Sequence, residues 1–209
     1  MRVSDSQRVL FVHVPKTGGA TLDAMFDTEV PDARRISEMK RHSTYRDLVK
    51  ADPVLEDYWS FGFVRNPWAR MVSWWSMGVR MEERVEQGRA SSVRKVETKP
   101  QIWGPLMAYN DDFSRFVLEG TREVARLQRP QVRWLMPSKR KHVDFIGRVE
   151  NFVADGNVVR ERLGLPALDA FPRRNPSSHG HYRDYYNDET RNRVAEVFAE
   201  DIDTFGYTY

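Results

Sequence analysis

Apolar residues gather in three short runs, and each is followed by a stretch of helical character. The first lies in residues 9–22 (VLFVHVPKTGGATL) and ends in Pro15, a lysine and two adjacent glycines, the mark of a buried strand leaving through a turn. Residues 20–26 (ATLDAMF) predict the opening turns of a helix. The second run, 58–64 (YWSFGFV), predicts another buried strand. Asn66 and Pro67 then stand in the order of an N-cap and a first helical residue. Trp68, Val72, Trp75 and Val79 recur at i, i+4, i+7 and i+11, which predicts a helix to about Glu86. The third run, 143–149 (VDFIGRV), predicts a strand, with Asn151 capping a helix to about Leu163 that Gly164 and Pro166 stop. Strands alternating with helices predict an α/β fold, a parallel sheet flanked by helices in a single domain over residues 1–209.

The segments between these runs are weaker in pattern. Residues 28–41 read as loop with a short helical piece, and Ser43 reads as the N-cap of a helix over 45–50, with His42 just before it. Residues 88–100 (GRASSVRKVETKP) are polar, basic and without periodicity, and predict a mobile surface loop. A short amphipathic helix is expected over 111–118, a Pro-, Ser- and Asn-rich loop over 165–180, and a closing helix over about 188–201.

Composition narrows the chemistry. At 209 residues, 40% hydrophobic and 30% charged, the chain is long enough for a core of ordinary size. Its formal net charge of +3 suits an anionic ligand but is too small and dispersed to indicate nucleic acid. With no cysteine there is neither a disulfide nor a thiol nucleophile nor a thiolate metal site, and the five histidines show no metal-ligand spacing. No metal is expected. No run approaches the ~20 apolar residues of a membrane span. The segment 1–16 lacks the apolar core of a signal peptide, so a cytoplasmic protein is expected.

The first strand, its glycine-bearing turn and the following helix start make an anion cradle. Amides of the first helical turn converge there, the helix dipole favours negative charge, and Gly18 and Gly19 let the backbone approach closely. Lys16 adds a point charge, while Thr17 and Thr21 add hydroxyl donors. In a nucleotide-triphosphate P-loop the lysine follows the glycines in GK[ST]; here it precedes them, and no GK[ST] occurs in the chain, which weighs against a P-loop kinase. Arg65 at the end of the second strand offers a second anion-seeking fork, with Ser73 two turns into the following helix. Two such elements at neighbouring strand ends point to a ligand with two separated phosphate-like groups. A non-catalytic nucleotide- or polyanion-binding protein, using 89–99 and 139–142 as contact surface, is the alternative of a different class.

These residues resemble the nucleotide-dependent sulfotransferases, in particular the branch containing carbohydrate sulfotransferases such as the heparan sulfate 2-O type. VPKTGGAT at 14–21 is similar to their 5′-phosphosulfate loop, and FVRNPWARMVSWW at 63–75 to their 3′-phosphate element. The likeness continues through GRVENF at 147–152 and the segment 175–207. Ala20 departs from it, standing where relatives more often carry a hydroxyl residue, for which Thr21 can make up. The resemblance implies a P-loop-type sheet and the donor 3′-phosphoadenosine-5′-phosphosulfate, held without metal by Lys16, Thr17, Gly18, Gly19, Ala20, Thr21, Arg65 and Ser73. It also implies a loop over 175–183, with Ser177, Ser178, His179, Tyr182 and Arg183, closing on the nucleotide. An acceptor hydroxyl needs a general base. His13 lies inside the first strand and reads as packed. His42 stands 23 positions before Arg65, close to the interval of the catalytic histidine in carbohydrate-type relatives, and is implied as base beside Lys16 as the second catalytic group. A carboxylate of Asp111 or Asp112 is the competing candidate. A carbohydrate acceptor is implied; which one, and the oligomeric state, stay open.

Overall fold

The first apolar run is preceded by a strand that the pattern does not announce. In the computed structural model, which describes residues 1–37, 39–136, 138, 142–172 and 180–209, β1 (Arg2–Ser4) pairs antiparallel with β2 (Val9–Val12). At three residues and opening on arginine, β1 carries no periodic signal. Its Arg2 is nonetheless only 5% exposed, because Asp23 and Asp27 pair with it. β2 runs parallel to β3 (Trp59–Val64) and β3 parallel to β4 (Phe145–Arg148), giving the order β1-β2-β3-β4. The fold class is α/β, as expected, with the three anticipated strands forming the parallel part.

Helices follow each parallel strand. α1 (Gly19–Glu29) comes from the glycine turn, and α2 (Tyr45–Ala51) is capped by Thr44 rather than Ser43. Thr44 and Asp47 form a reciprocal capping box, whereas the Ser43 hydroxyl donates to the Lys40 carbonyl. α3 (Pro67–Glu86) begins as the Asn-Pro pair predicts, the Asn66 side chain accepting from the amides of Trp68 and Ala69. The stretch expected as a loop over 88–100 is instead α4 (Ala90–Thr98) running into α5 (Pro100–Met107). Val93 and Val96, three residues apart and both half-buried, give it a narrow apolar edge that the polar composition hides, and α3 and α5 pack against it.

α6 (Phe113–Leu118) is capped by Asp112, and three single turns follow: α7 (Gly120–Glu123), α8 (Ala125–Gln128) and α9 (Val132–Leu135). α10 (Phe152–Arg162) starts where expected, but the Asn151 side chain makes no capping bond. The closing helix is two, α11 (Asp188–Val197) and α12 (Ala199–Phe205), broken at Phe198.

The described residues of Met1–Arg65 and Gln131–Pro176 form one compact unit, and those of Asn66–Pro130 and Ser177–Tyr209 a second. In the first, β2 and β3 present Val9, Phe11, Phe61 and Phe63 to Leu22, Met25 and Phe26 of α1 and to Val159 of α10. Phe61 is at the centre, with ring centroids 5.0 Å from Phe11 and 6.3 Å from Phe26. In the second, Trp68, Met71, Val72 and Trp74 of α3 pack with Phe113, Phe116, Val194 and Phe198. Phe61→Ala is expected to cost about 3–5 kcal/mol of stability, read from the urea midpoint, because the cavity it leaves is walled by rigid rings.

Candidate functional site

Parallel pairing of β2 and β3 sets the geometry. Val12 sits opposite Gly62, so the turn after β2 and the turn carrying Arg65 leave the same edge of the sheet, where ligands of open α/β sheets bind. Within the first turn, Lys16 has φ 71° and Gly18 φ 76°, both in the left-handed region. Glycine adopts that conformation freely; lysine is strained there by about 1 kcal/mol or more. A Cβ on Gly18 would lie 2.6 Å from the Phe152 ring, and one on Gly19 would lie 2.2 Å from Nε2 of His13, so both glycines are required by close packing. No side chain caps α1 at Gly18 and its first turn holds no acid, which leaves the amides of Gly19 and Ala20 without a side-chain cap, while that of Thr21 already donates to the Gly18 carbonyl at 2.9 Å.

The two threonines expected as donors are both engaged within the chain. Thr17 is buried and its hydroxyl donates to the Val14 carbonyl at 2.9 Å, stapling the turn; that of Thr21 donates to the Pro172 carbonyl at 3.3 Å. What the turn presents to an anion is therefore the backbone of 18–20, Ala20 included, and the half-buried Lys16. Arg65 is half-buried too. A reciprocal amide clamp fixes its main chain: Gln131, fully buried, accepts from the Arg65 N–H at 2.9 Å and donates to its carbonyl at 2.8 Å. Gln131 lies too far along the chain for any local signal to reveal this.

His42 stands beside the same turn. Its Nδ1 is 2.9 Å from the His13 carbonyl oxygen and its ring meets the His13 ring edge-on, with centroids 4.6 Å apart. A carbonyl only accepts, so the proton of neutral His42 sits on Nδ1 and the lone pair on Nε2. His13 is packed as expected, 4% exposed, but it is also polar in partnership: its Nδ1 lies 3.3 Å from the buried Asp23 carboxylate. The sequence marks Asp23 only as an acid in the otherwise apolar LDAMF stretch of α1.

Ser73, Tyr182 and Arg183 belong to the second unit. Ser73 is buried two turns into α3, Tyr182 is half-buried, and Arg183 donates to the Tyr209 carbonyl at 2.6 Å. Asp112 caps α6 and Asp111 pairs with Arg115, so each competing carboxylate already holds a partner. Ser177, Ser178, His179 and the basic residues 139–141 lie outside the described residues. Among the described residues no cluster of three or more potential metal ligands occurs, and no helix is long and apolar enough to cross a membrane.

A model of the sulfotransferase family matches residues 1–208. The chain belongs to the sulfotransferase family. Searches of curated proteins and of solved structures returned no match. As a sulfotransferase it moves a sulfuryl group to an acceptor, and the positive, amide-lined edge of its sheet suits that anionic chemistry.

The two histidines of this sulfotransferase resist protonation. Burial pushes His13 down to about 4, against the pull of Asp23, and pushes His42 down to about 3, helped by the neighbouring His13 and Arg41. Both values are lower than in the unfolded chain, so the stability they contribute is whole above pH 6.5. It is lost as pH falls from there through about 4 for His13 and about 3 for His42. The expected slope is about 1.4 kcal/mol per pH unit for each histidine. Urea midpoints at pH 7.5, 6.0 and 5.0 will show it, and His42→Gln will roughly halve it.

Proposed function

We propose that this sulfotransferase takes its sulfuryl group from 3′-phosphoadenosine-5′-phosphosulfate and passes it to a hydroxyl of a glycan or another small acceptor. The observation that carries the reading is the shared sheet edge, where an uncapped, acid-free helix start with Lys16 neighbours an arginine whose main chain is clamped. That donor set fits a ligand with a phosphate at each end and asks for no metal. The glycan rests on the likeness of 14–21 and 63–75 to the carbohydrate branch and on the place of His42 in the chain.

When bound, the donor supplies an activated sulfuryl group joined through oxygen to its 5′ phosphate. The chain's task is then positioning and charge stabilisation. The amides of 18–20 hold the 5′ phosphate, and the Lys16 ammonium stabilises the charge that collects on the departing bridging oxygen. Arg65 grips the 3′ phosphate; Ser73, Tyr182 and Arg183 are assigned to the nucleotide on resemblance alone. His42 takes the acceptor's proton on Nε2 as the new S–O bond forms. Its depressed pKa keeps the imidazole neutral at pH 7, and polyanion charge in the adjoining turn raises its basicity toward the working range.

Calorimetry with 3′-phosphoadenosine-5′-phosphate tests this: tight binding in EDTA is expected, and metal-dependent ATP binding in its place overturns it. Arg65→Ala is expected to weaken that binding at least tenfold, the loss of about 1.5–3 kcal/mol for a charge-assisted bond. Lys16→Ala should lower kcat by about a hundredfold or more. His42→Ala should lower kcat by roughly 10²–10⁴ while leaving nucleotide affinity unchanged. Transfer of ³⁵S from labelled donor to a glycan panel will identify the acceptor.

A further inference from the structure

The sequence of contacts behind His42 is not explained by packing alone. Asp23, on α1, is a carboxylate only 5% exposed. A buried charge of this kind persists only with partners, and they come from three segments: Arg2 of β1 at 3.4 Å from Oδ1, Arg41 of the loop before α2 at 2.6 Å from Oδ2, and Nδ1 of His13 at 3.3 Å from Oδ2. The other end of the His13 ring rests on Gly19, one turn earlier on the same helix. Asp23 and Gly19 thus hold the ring from two points of α1. His13 in turn offers His42 two contacts, its carbonyl oxygen to Nδ1 and its ring to the ring.

We propose that Asp23 and His13 are positioning residues for His42: the Asp23 carboxylate, 3.3 Å from Nδ1 of His13 though not aligned for a hydrogen bond, holds the His13 ring by its charge, and His13, by ring and carbonyl, holds His42 with its proton on Nδ1 and its lone pair on Nε2. The proposal rests on the reading of His42 as base. The charge of an ionised Asp23 favours the proton of neutral His13 on the facing Nδ1. Asp23 has a second effect through charge. The groups facing His42 are His13, Arg41 and the amino group of Met1; Arg41 disfavours its protonation as a cation, while burial pushes the Met1 amine down to about 5 and leaves it neutral at pH 7. Asp23 binds Arg41 directly and offsets that cation. Without the carboxylate, His42 is both less fixed and a weaker base.

Asp23→Asn keeps the shape and removes the charge. The expected result is a kcat at least tenfold lower, with the acid limb of its pH profile moved to lower pH and the calorimetric affinity for 3′-phosphoadenosine-5′-phosphate within twofold of wild type. Long-range ¹H–¹⁵N correlation spectra of histidine-labelled protein, assigned by single His→Gln variants, should show Nδ1–H on both His13 and His42 in the wild type at pH 7. That pattern should be lost in Asp23→Asn. A kcat within twofold of wild type, or one that falls only in step with nucleotide affinity, overturns the proposal. So does Nε2–H on either ring in the wild type, a result that stands even where Asp23→Asn does not fold. Failure of the functional reading is distinct from these: the wild-type chain would neither bind the nucleotide nor transfer sulfate, whatever its tautomers.

Discussion

The pairing of β2 with β3 is the constraint on which the site depends. Two parallel neighbours in register must release their chains at the same edge, so the glycine-bearing turn after β2 and the turn that ends in arginine become neighbours through the backbone pairing itself. The pairing is secured from beneath by the rings of Phe11, Phe61 and Phe63 against α1. The same helix that buries Leu22 and Phe26 in that core presents its uncapped N-terminus at the edge and Asp23 behind it. Core and site are therefore two ends of one element, and damage to the first reaches the second.

Much of this was legible because it rests on local rules. Gly18 announced a backbone that side chains resist, Asn66-Pro67 announced a helix start, and the aromatic runs announced buried strands; each needs only neighbours in the chain. What was hidden depends on distance in sequence. β1 becomes a strand because β2 is there to pair with, and Arg2 is buried because α1 brings two carboxylates to it. The Gln131 clamp joins residues from two separate segments. The helix over 90–98 is masked for another reason: its apolar edge is only Val93 and Val96, and what makes that pair sufficient is the contact with α3 and α5. His13 was read as packed, and it is; that its ring also answers to a buried carboxylate needed Asp23 in view.

The site's hydroxyls and its backbone divide the work differently from a first inspection of the residues. Thr17 and Thr21 spend their protons on carbonyls of the chain, and in doing so fix the turn that their sequence position suggested they would offer to a ligand. Amides fixed in place lose little freedom on meeting an anion, and they carry no net charge that must be desolvated beforehand. This suits sulfuryl transfer, since fixed dipoles need no reorganisation as charge moves between donor and acceptor.

Lys16 holds its left-handed backbone although it carries a Cβ. Glycine would relax the turn at that position and lengthen the Gly18-Gly19 pair into a looser stretch. It would also take away the only ammonium within residues 9–22. The peptide twist aims that ammonium from a fixed origin, so swapping Lys16 for a residue of equal charge on a different stem changes where the charge arrives as well as how it is carried. The charge proposed for the departing oxygen and conformational ease are in opposition at this one peptide unit, and a search for more thermostable variants would be drawn to it first.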